Sequence, residues 1–452
     1  MIYAPRGPHR AGATTVSSAP TWKKHVPEPP PIVSATLPTI ADRHGWLRAA
    51  VVLLAVLLAY GGSAVVVGHT SSPDSAFFDH LADAFLHGRL YLENPPITGD
   101  LTLHEEHWYV PFPPLGAILL LPWVALFGVA HTSTVLFSIV WGSLSVAILS
   151  RILDGLASRG WIGLDVGGRC WLLLLFALGC MHWQAATAGS VWFLSHTCSV
   201  LFVALAVWAA IATRSPWLSG AALAIAMWGR PHIVLTWPLL LGIAAQHLRD
   251  DDAIVDRRRL IGWAWRSAVP LAISVAGLVS YNYARFGDPL DFGYRTQNVS
   301  GIARENLAIG QFHPHHVLRN LYVMLLGPPR WYEPDKLPAP RGWHLPIPDA
   351  RGMSIFLTTP ALFYLVRARR REPFVYAAWL SVGLLVIPLL LYYTTGWRTF
   401  GYRFSLDFMI PVMVLLAVAA GRRVTWPMRG LILVGVIINA WGVVWWNTNW
   451  LD

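Results

Sequence analysis

From residue 46 onward, long apolar runs return at short intervals, with few charged positions inside them. A backbone that meets lipid must satisfy its own polar groups, so runs of this length restrict the chain to an all-α integral membrane fold. Spans are expected at residues 46–67, 134–153, 170–188, 191–213, 217–230, 232–247, 267–284, 352–367, 374–394, 404–421 and 427–447. Of 452 residues, 55% are hydrophobic and only 13% charged, which excludes an ordinary soluble class. The 24 Trp residues suit a protein with many interfacial anchors.

The net charge of +10 is not a nucleic-acid signal, because the arginines fall in short clusters between apolar runs. Clusters so placed act as topology determinants. Residues 1–45 are polar, Pro-rich and basic, the composition of a disordered cytoplasmic tail; residues 46–452 form one polytopic unit. The first run is too long and begins too late for a cleaved signal peptide. Cys170, Cys180 and Cys198 have no close-spaced partner, which argues against a disulfide framework or a zinc site.

Orientation turns on residues 115–130, whose length is marginal for crossing a bilayer. If they do not cross, the basic clusters all fall on the side of the N-terminal tail, as the positive-inside rule favours. These residues therefore read as a helix lying on the outer surface or dipping into it. About eleven transmembrane helices result, with the N-terminus inside and the C-terminus outside. Two long loops, 68–133 and 285–351, then lie on the outer face, and chemistry is expected there.

The first outer loop begins with an amphipathic helix. Phe77, Phe78, Leu81, Phe85 and Leu86 recur at helical spacing and form a face able to lie on lipid. Asp74 follows Pro73 at the helix start, where it is either a simple end residue or a base facing an outer cleft. Asp83 and Asp79 are offset from the apolar face and expected to be solvated, with Asp79 also a candidate for the pocket. The elbow from Trp108 to Leu115 is stiffened by Pro111, Pro113 and Pro114, and would set Tyr109 in a pocket wall.

These elements carry a resemblance. Asp74, Phe78, Gly88-Arg89, Pro113-Pro114-Leu115-Gly116 and Leu126-Phe127-Gly128, in that order, resemble the GT-C superfamily of polytopic glycosyltransferases. Protein O-mannosyltransferases and the lipid A aminoarabinose transferase are relatives. The span ending at Arg230 and the segments YNYARFGDPLDFGY and FGYRFSLDFMIP extend the similarity over most of residues 46–421. The resemblance implies a GT-C-type fold in a bacterial cytoplasmic membrane. It also implies transfer of a sugar from a polyprenyl-phosphate-linked donor to a glycan, lipid or protein acceptor on the outer face. The family's first-loop Asp maps onto Asp74 as the catalytic residue. Family members often pair that carboxylate with another, whereas this chain has Asp74-Ser75.

A lipid phosphate needs multidentate cationic donors at headgroup depth, which Arg supplies. Arg230, Arg285, Arg398 and Arg403 lie at the outer ends of spans, against the positive-inside bias, and are the candidate phosphate ligands. Each alone reads as a snorkelling interfacial residue; four together favour function. Asp407, four residues after Arg403, is placed to aim that guanidinium or to form an ordinary buried pair. No cofactor is expected. A divalent metal is the weaker reading of His104, Glu105, Glu106 and His107 with His313, His315 and His316, since neither run has a standard ligand spacing. His182, His196 and His232 read as structural. Asn298-Val299-Ser300 fits a glycosylation acceptor in a eukaryotic secretory route only. Residues 327–351, rich in Pro, Trp and charge, form either a cap over the cleft or a solvated connector. Rival readings are a transporter or lipid flippase, although no internal repeat supports it, and a non-catalytic scaffold.

Overall fold

The computed structural model of the protein describes residues 40–250, 252–331, 346–396 and 398–449. Most of the tail expected at residues 1–45, and most of the cap or connector at 327–351, lie outside the described residues.

The described residues are mostly helical. In order come α1 (Ile40–Val66), α2 (Phe78–Leu86), α3 (Leu115–Phe127), α4 (Thr134–Ser158), α5 (Val166–Leu178), α6 (His182–Ala188), α7 (Val191–Ala212) and α8 (Pro216–Met227). Then follow α9 (Trp237–His247), α10 (Arg257–Phe286), α11 (Gly301–Ile309), α12 (Val317–Leu326), α13 (Ile355–Thr358), α14 (Pro373–Leu391), α15 (Leu406–Ala419) and α16 (Trp426–Asn449). Among the described residues, sheet is limited to two strand pairs. β1 (Thr102–His104) and β2 (His107–Tyr109) form an antiparallel hairpin in the first loop; β3 (Arg351–Met353) and β4 (Thr399–Gly401) pair in parallel.

Six helices, α1, α4, α7, α10, α14 and α16, are long and apolar enough to cross a membrane among the described residues. The bent pair α5 and α6, with an angle of 47° at its break, brings the number to seven. This is a multi-pass helical membrane protein. Several expected spans have a different form. Residues 352–367 are a four-residue helix, α13, followed by a 3-10 segment, Pro360–Arg367, rather than one rod. Pro360 opens that second segment, because a proline can begin a helix but cannot continue one. Residues 404–421 hold a 14-residue helix, α15, whose every residue is buried. Around Arg230 the break is a 3-10 turn, Pro231–Thr236, between α8 and α9.

The core is centred on α4, α7 and α15. Small residues let neighbouring helices approach closely. A Cβ at Gly142 of α4 would meet Ala186 at 2.8 Å, and one at Gly155 would meet Ile211 of α7 at 2.8 Å. His182 reads correctly as structural. Its Nδ1 faces Tyr60 Oη at 2.8 Å, its Nε2 faces Ser145 Oγ at 2.9 Å, and it is fully buried. Buried polar groups of this kind are matched because leaving them unmatched is costly.

The basic clusters gather at one end of the bundle. There Asp154 takes Arg48 at 2.8 Å and Arg169 at 2.6 Å, Arg370 reaches the Trp161 carbonyl, and Asp165 N donates to the Arg422 carbonyl. The two long loops gather at the other end. They join where Asp100 N donates to the Asn298 carbonyl at 2.9 Å, Asn298 N to Leu101 O at 2.7 Å, and Thr102 Oγ1 to Gly293 O at 2.5 Å. Asn298 of the glycosylation sequon is held in this junction, with its Nδ2 on Thr98 O at 3.0 Å.

The amphipathic helix departs from expectation. Helix α2 begins at Phe78 rather than at Pro73, and its apolar face packs on protein instead of lipid. Phe77, Phe78 and Leu81 are fully buried, and the Phe78 ring lies so close to Gly116 of α3 that a Cβ there would sit 2.7 Å from Cε2. Residues 115–130 do form the expected short helix, α3, ended at Gly128 with φ 74°.

Candidate functional site

A cavity of about 470 Å³ lies where both long loops meet the ends of α8, α10 and α14 and the starts of α7 and α15. Its charged lining groups are Asp100, Arg230 and Arg403, and the His232 imidazole joins them. Aromatic rings from Phe112, Trp192, Tyr294, Tyr392, Tyr393 and Phe404 form much of the remaining wall. A concave, largely apolar site with a few convergent polar groups is the usual form of a small-molecule site.

Arg230 follows the last turn of α8 in an extended conformation, φ −151°, and Pro231 then opens the 3-10 turn. That geometry turns Arg230 and His232 toward the same carboxylate. Asp407, at the start of α15, accepts a hydrogen bond from Arg230 Nη2 at 2.8 Å, and its other oxygen lies 2.7 Å from Arg230 Nε as an ion pair. It also meets His232 Nε2 at 2.8 Å and His196 Nδ1 at 3.1 Å. The Asp407 side chain is only 1% exposed, against 16% for Arg230 and 24% for His232. Asp407 therefore fixes two groups that face the cavity while remaining sealed itself. The expected pairing was with Arg403 along its own helix. The carboxylate is instead taken by Arg230, His196 and His232, brought from α7 and the α8–α9 break by tertiary packing.

Arg403 stands at the start of the 3-10 turn preceding α15, buried to 7% exposure. Its guanidinium carbon lies 5.6 Å from the Trp192 ring, 5.5 Å from Phe193 and 5.3 Å from Phe404, all within cation–π range. Gly396, with φ 105°, gives it room: a Cβ there would stand 3.2 Å from Arg403 Nε. Asp100 faces the positive charge of Arg403, and Trp192 beside it favours the ionised carboxylate. Gln297 Nε2 donates to the Asp100 carbonyl at 3.1 Å and sits 3.4 Å from its Oδ1, while Tyr393 Oη donates to Gln297 Oε1 at 2.9 Å. Burial pushes the Asp100 carboxyl above the ordinary carboxylate range; Arg403, Trp192 and Arg398 offset part of that rise. Its backbone is left-handed, φ 65°, a conformation Asp tolerates better than most residues.

The other expected site residues divide. Arg230 and Arg403 line one cavity. Arg398 adds positive potential at Asp100. Arg285 does not line the cavity: its Nη1 donates to Val110 O at 2.8 Å and its Nη2 to Asn282 Oδ1 at 2.8 Å, with the Tyr281 and Phe286 rings beside it. It fastens the proline elbow to α10. Tyr109 packs on Phe286 at 5.2 Å between ring centres, and the elbow reaches the cavity through Phe112 and Pro113 instead.

Asp74 is exposed and lines a separate cavity of about 400 Å³ that shares no lining residue with the first. The structure does not bring it to Arg230 and Arg403. Asp79 lines that second cavity and is not solvated as expected, being only 2% exposed, because α2 sinks its polar flank under the chain at Ser72. The histidine runs stay apart. His107 packs against Tyr91, with ring centres 3.9 Å apart and planes tilted by 54°, whereas His313 is tied through its backbone to Leu391 at the end of α14. No group of three or more His, Cys, Asp or Glu among the described residues is placed to hold a metal ion.

Sequence reasoning missed Asp100, Gln297 and Trp192. Asp100 follows Gly99 in a polar stretch and reads there as an ordinary turn residue; only the junction of the two loops half-buries it beside the cavity. No family model matches the chain, and neither a curated protein nor a solved structure matches it.

Proposed function

We propose that the protein is a membrane glycosyltransferase that uses a polyprenyl-phosphate-linked sugar donor. The observation that carries this reading is one aromatic cavity lined by Arg230, Arg403 and a half-buried carboxylate from the first long loop, Asp100. The phosphate would lie between Arg230 and Arg403, the first held rigid by Asp407, the second framed by rings. Aromatic faces suit the apolar side of a sugar ring. Asp100 takes the role first assigned to Asp74. It receives the proton of the acceptor hydroxyl as that oxygen bonds to the anomeric carbon and the carbon–phosphate oxygen bond breaks. The lipid phosphate leaves with its negative charge held by the two arginines. A carboxylate whose proton affinity is raised is a better base than a solvated one. Catalysis of this kind consists mainly of positioning and stabilisation of the leaving phosphate.

The GT-C-type fold and the eleven-pass path belong to the same proposal. Six helices meet the length requirement on their own and the bent α5–α6 pair makes a seventh; the shorter α8, α9, α15 and 355–367 segments would complete the eleven passes inside the bundle. With the basic clusters cytoplasmic, the cavity opens outside, on the external face of a bacterial cytoplasmic membrane.

The test is donor binding and turnover in nanodiscs with a polyprenyl-phosphate sugar. Arg403→Ala is expected to weaken donor binding by about 100-fold, from the loss of roughly 3 kcal/mol of charge-assisted hydrogen bonding. Asp100→Asn is expected to bind donor and fail to transfer. Unchanged affinity in the first variant or full transfer in the second would refute the assignment. Uptake or flipping of lipid without transfer would move the reading to a transporter or flippase.

A further inference from the structure

The second long loop contains a helix whose surface does not suit water. Helix α12 buries Asn320, Val323 and Met324 on one face. On the other, Leu318, Tyr322 and Leu326 recur every fourth residue and are 80%, 53% and 68% exposed. Repetition at this spacing makes one continuous apolar stripe. The helix is not free to turn that stripe away. Asn320 Nδ2 donates to the Tyr392 carbonyl at 2.6 Å and to the Leu390 carbonyl at 2.9 Å, and Arg319 Nη2 donates to Tyr393 O at 2.8 Å. Those acceptors are the last carbonyls of α14 and its exit, groups a helix cannot satisfy within itself. Helix α12 is thus clamped to the end of a candidate membrane span. Helix α14 has its own exposed apolar residues, Tyr376, Leu380 and Ile387. Immediately before α12 stands Phe312, which lines the cavity while 55% exposed; across the opening Leu290 does the same at 74%.

We infer that α12 lies in the bilayer, its Leu318, Tyr322 and Leu326 stripe continuing the lipid-facing surface of α14, and that the cavity opens between Leu290 and Phe312 onto lipid rather than water. Continuity with a spanning helix identifies the occupant as hydrocarbon and headgroup. A ligand would then enter from the membrane with its polar head leading. The inference concerns the surface and the mouth of the cavity, and it stands whether or not a sugar is transferred.

The experiment places single nitroxide labels at positions 312, 318 and 322 of the full chain in nanodiscs, with His315 as an exposed reference and Cys170→Ser removing the exposed native thiol. These positions are at the surface, so labelling disturbs no buried packing. Collision with oxygen is expected to exceed collision with a water-soluble nickel chelate at 312, 318 and 322, and the reverse at 315. A fluorophore at 318 is expected to lose emission to lipids carrying a quencher in the upper acyl chain. Nickel-dominated collision at 318 and 322 would overturn the inference in favour of a solvated loop. Broadening by a nitroxide on a second copy would overturn it in favour of self-association.

Discussion

Asp407→Ala removes four contacts at once, two to Arg230 and one each to His232 and His196. What remains is a guanidinium 16% exposed with its fork unoccupied, and stranding a buried charge costs about 3–5 kcal/mol. The two histidine bonds add about 1 kcal/mol each. The double variant Arg230→Met/Asp407→Leu loses the histidine bonds but strands no charge, so it is expected to lie closer to the parent than the single variant does. The gap between them is roughly 3 kcal/mol, since an apolar pair of similar volume often replaces a buried ion pair without loss. Thermal unfolding in nanodiscs, followed by tryptophan emission, reads that order as a difference of several degrees. Turnover reads the rest, because the double variant is folded but lacks the Arg230 fork and does not bind donor. A single variant as stable as the parent, or a double variant less stable than the single, would refute the claim that Asp407 exists to hold a cation.

Further outcomes follow from individual contacts. Burial raises the proton affinity of Asp100, and a base works only when deprotonated. Transfer is therefore present at high pH and lost as pH falls through a value above the ordinary carboxylate range; a profile flat down to the normal Asp range would exclude Asp100 as the base. Gly116→Ala drives a methyl into the fully buried Phe78 ring and is expected to destabilise by about 1–3 kcal/mol, measured by thermal shift and relieved by Phe78→Leu. Arg285→Met leaves the Val110 carbonyl without its donor, so thermal stability should fall while donor affinity per folded molecule changes little. Asp74→Asn should transfer sugar at the parental rate, because Asp74 borders a different cavity.

The parts of the fold legible in the sequence are those set by local chemistry. The long apolar runs of α1, α4, α7, α10, α14 and α16 specify helices by their length alone. Clustered arginines between runs indicate which ends share a side, and the ends of Arg48, Arg169, Arg370 and Arg422 do meet. Arg230 and Arg403 were also legible, since a cation at the wrong end of a span stands out against a known bias. What was not legible depends on contacts between distant segments. Phe77, Phe78 and Leu81 have the spacing of a lipid-facing helix, and nothing local distinguishes lipid from the α3 surface that covers them.

The same reasoning explains why Asp74 stood out in the sequence while Asp100, which lines the cavity with Arg230 and Arg403, did not. Asp74 follows a proline at an expected helix start, a setting with a strong local signature. Asp100 has the local signature of a solvated turn. Its chemistry is created by Gln297, Trp192 and Arg403, which lie about 90 to 300 residues away in sequence and arrive through the Asp100–Asn298 junction and the break before α15. A carboxylate becomes a base through burial and neighbours rather than through sequence position. The first loop does send a carboxylate to the cavity, and which residue it is depends on which turn the second loop covers. Cutting that dependence is itself informative. Gln297→Ala removes the Nε2 donor to the Asp100 carbonyl and leaves the arginines in place. Donor affinity should hold while transfer falls. Equal losses in both would mean that Gln297 shapes the phosphate site rather than aiming Asp100.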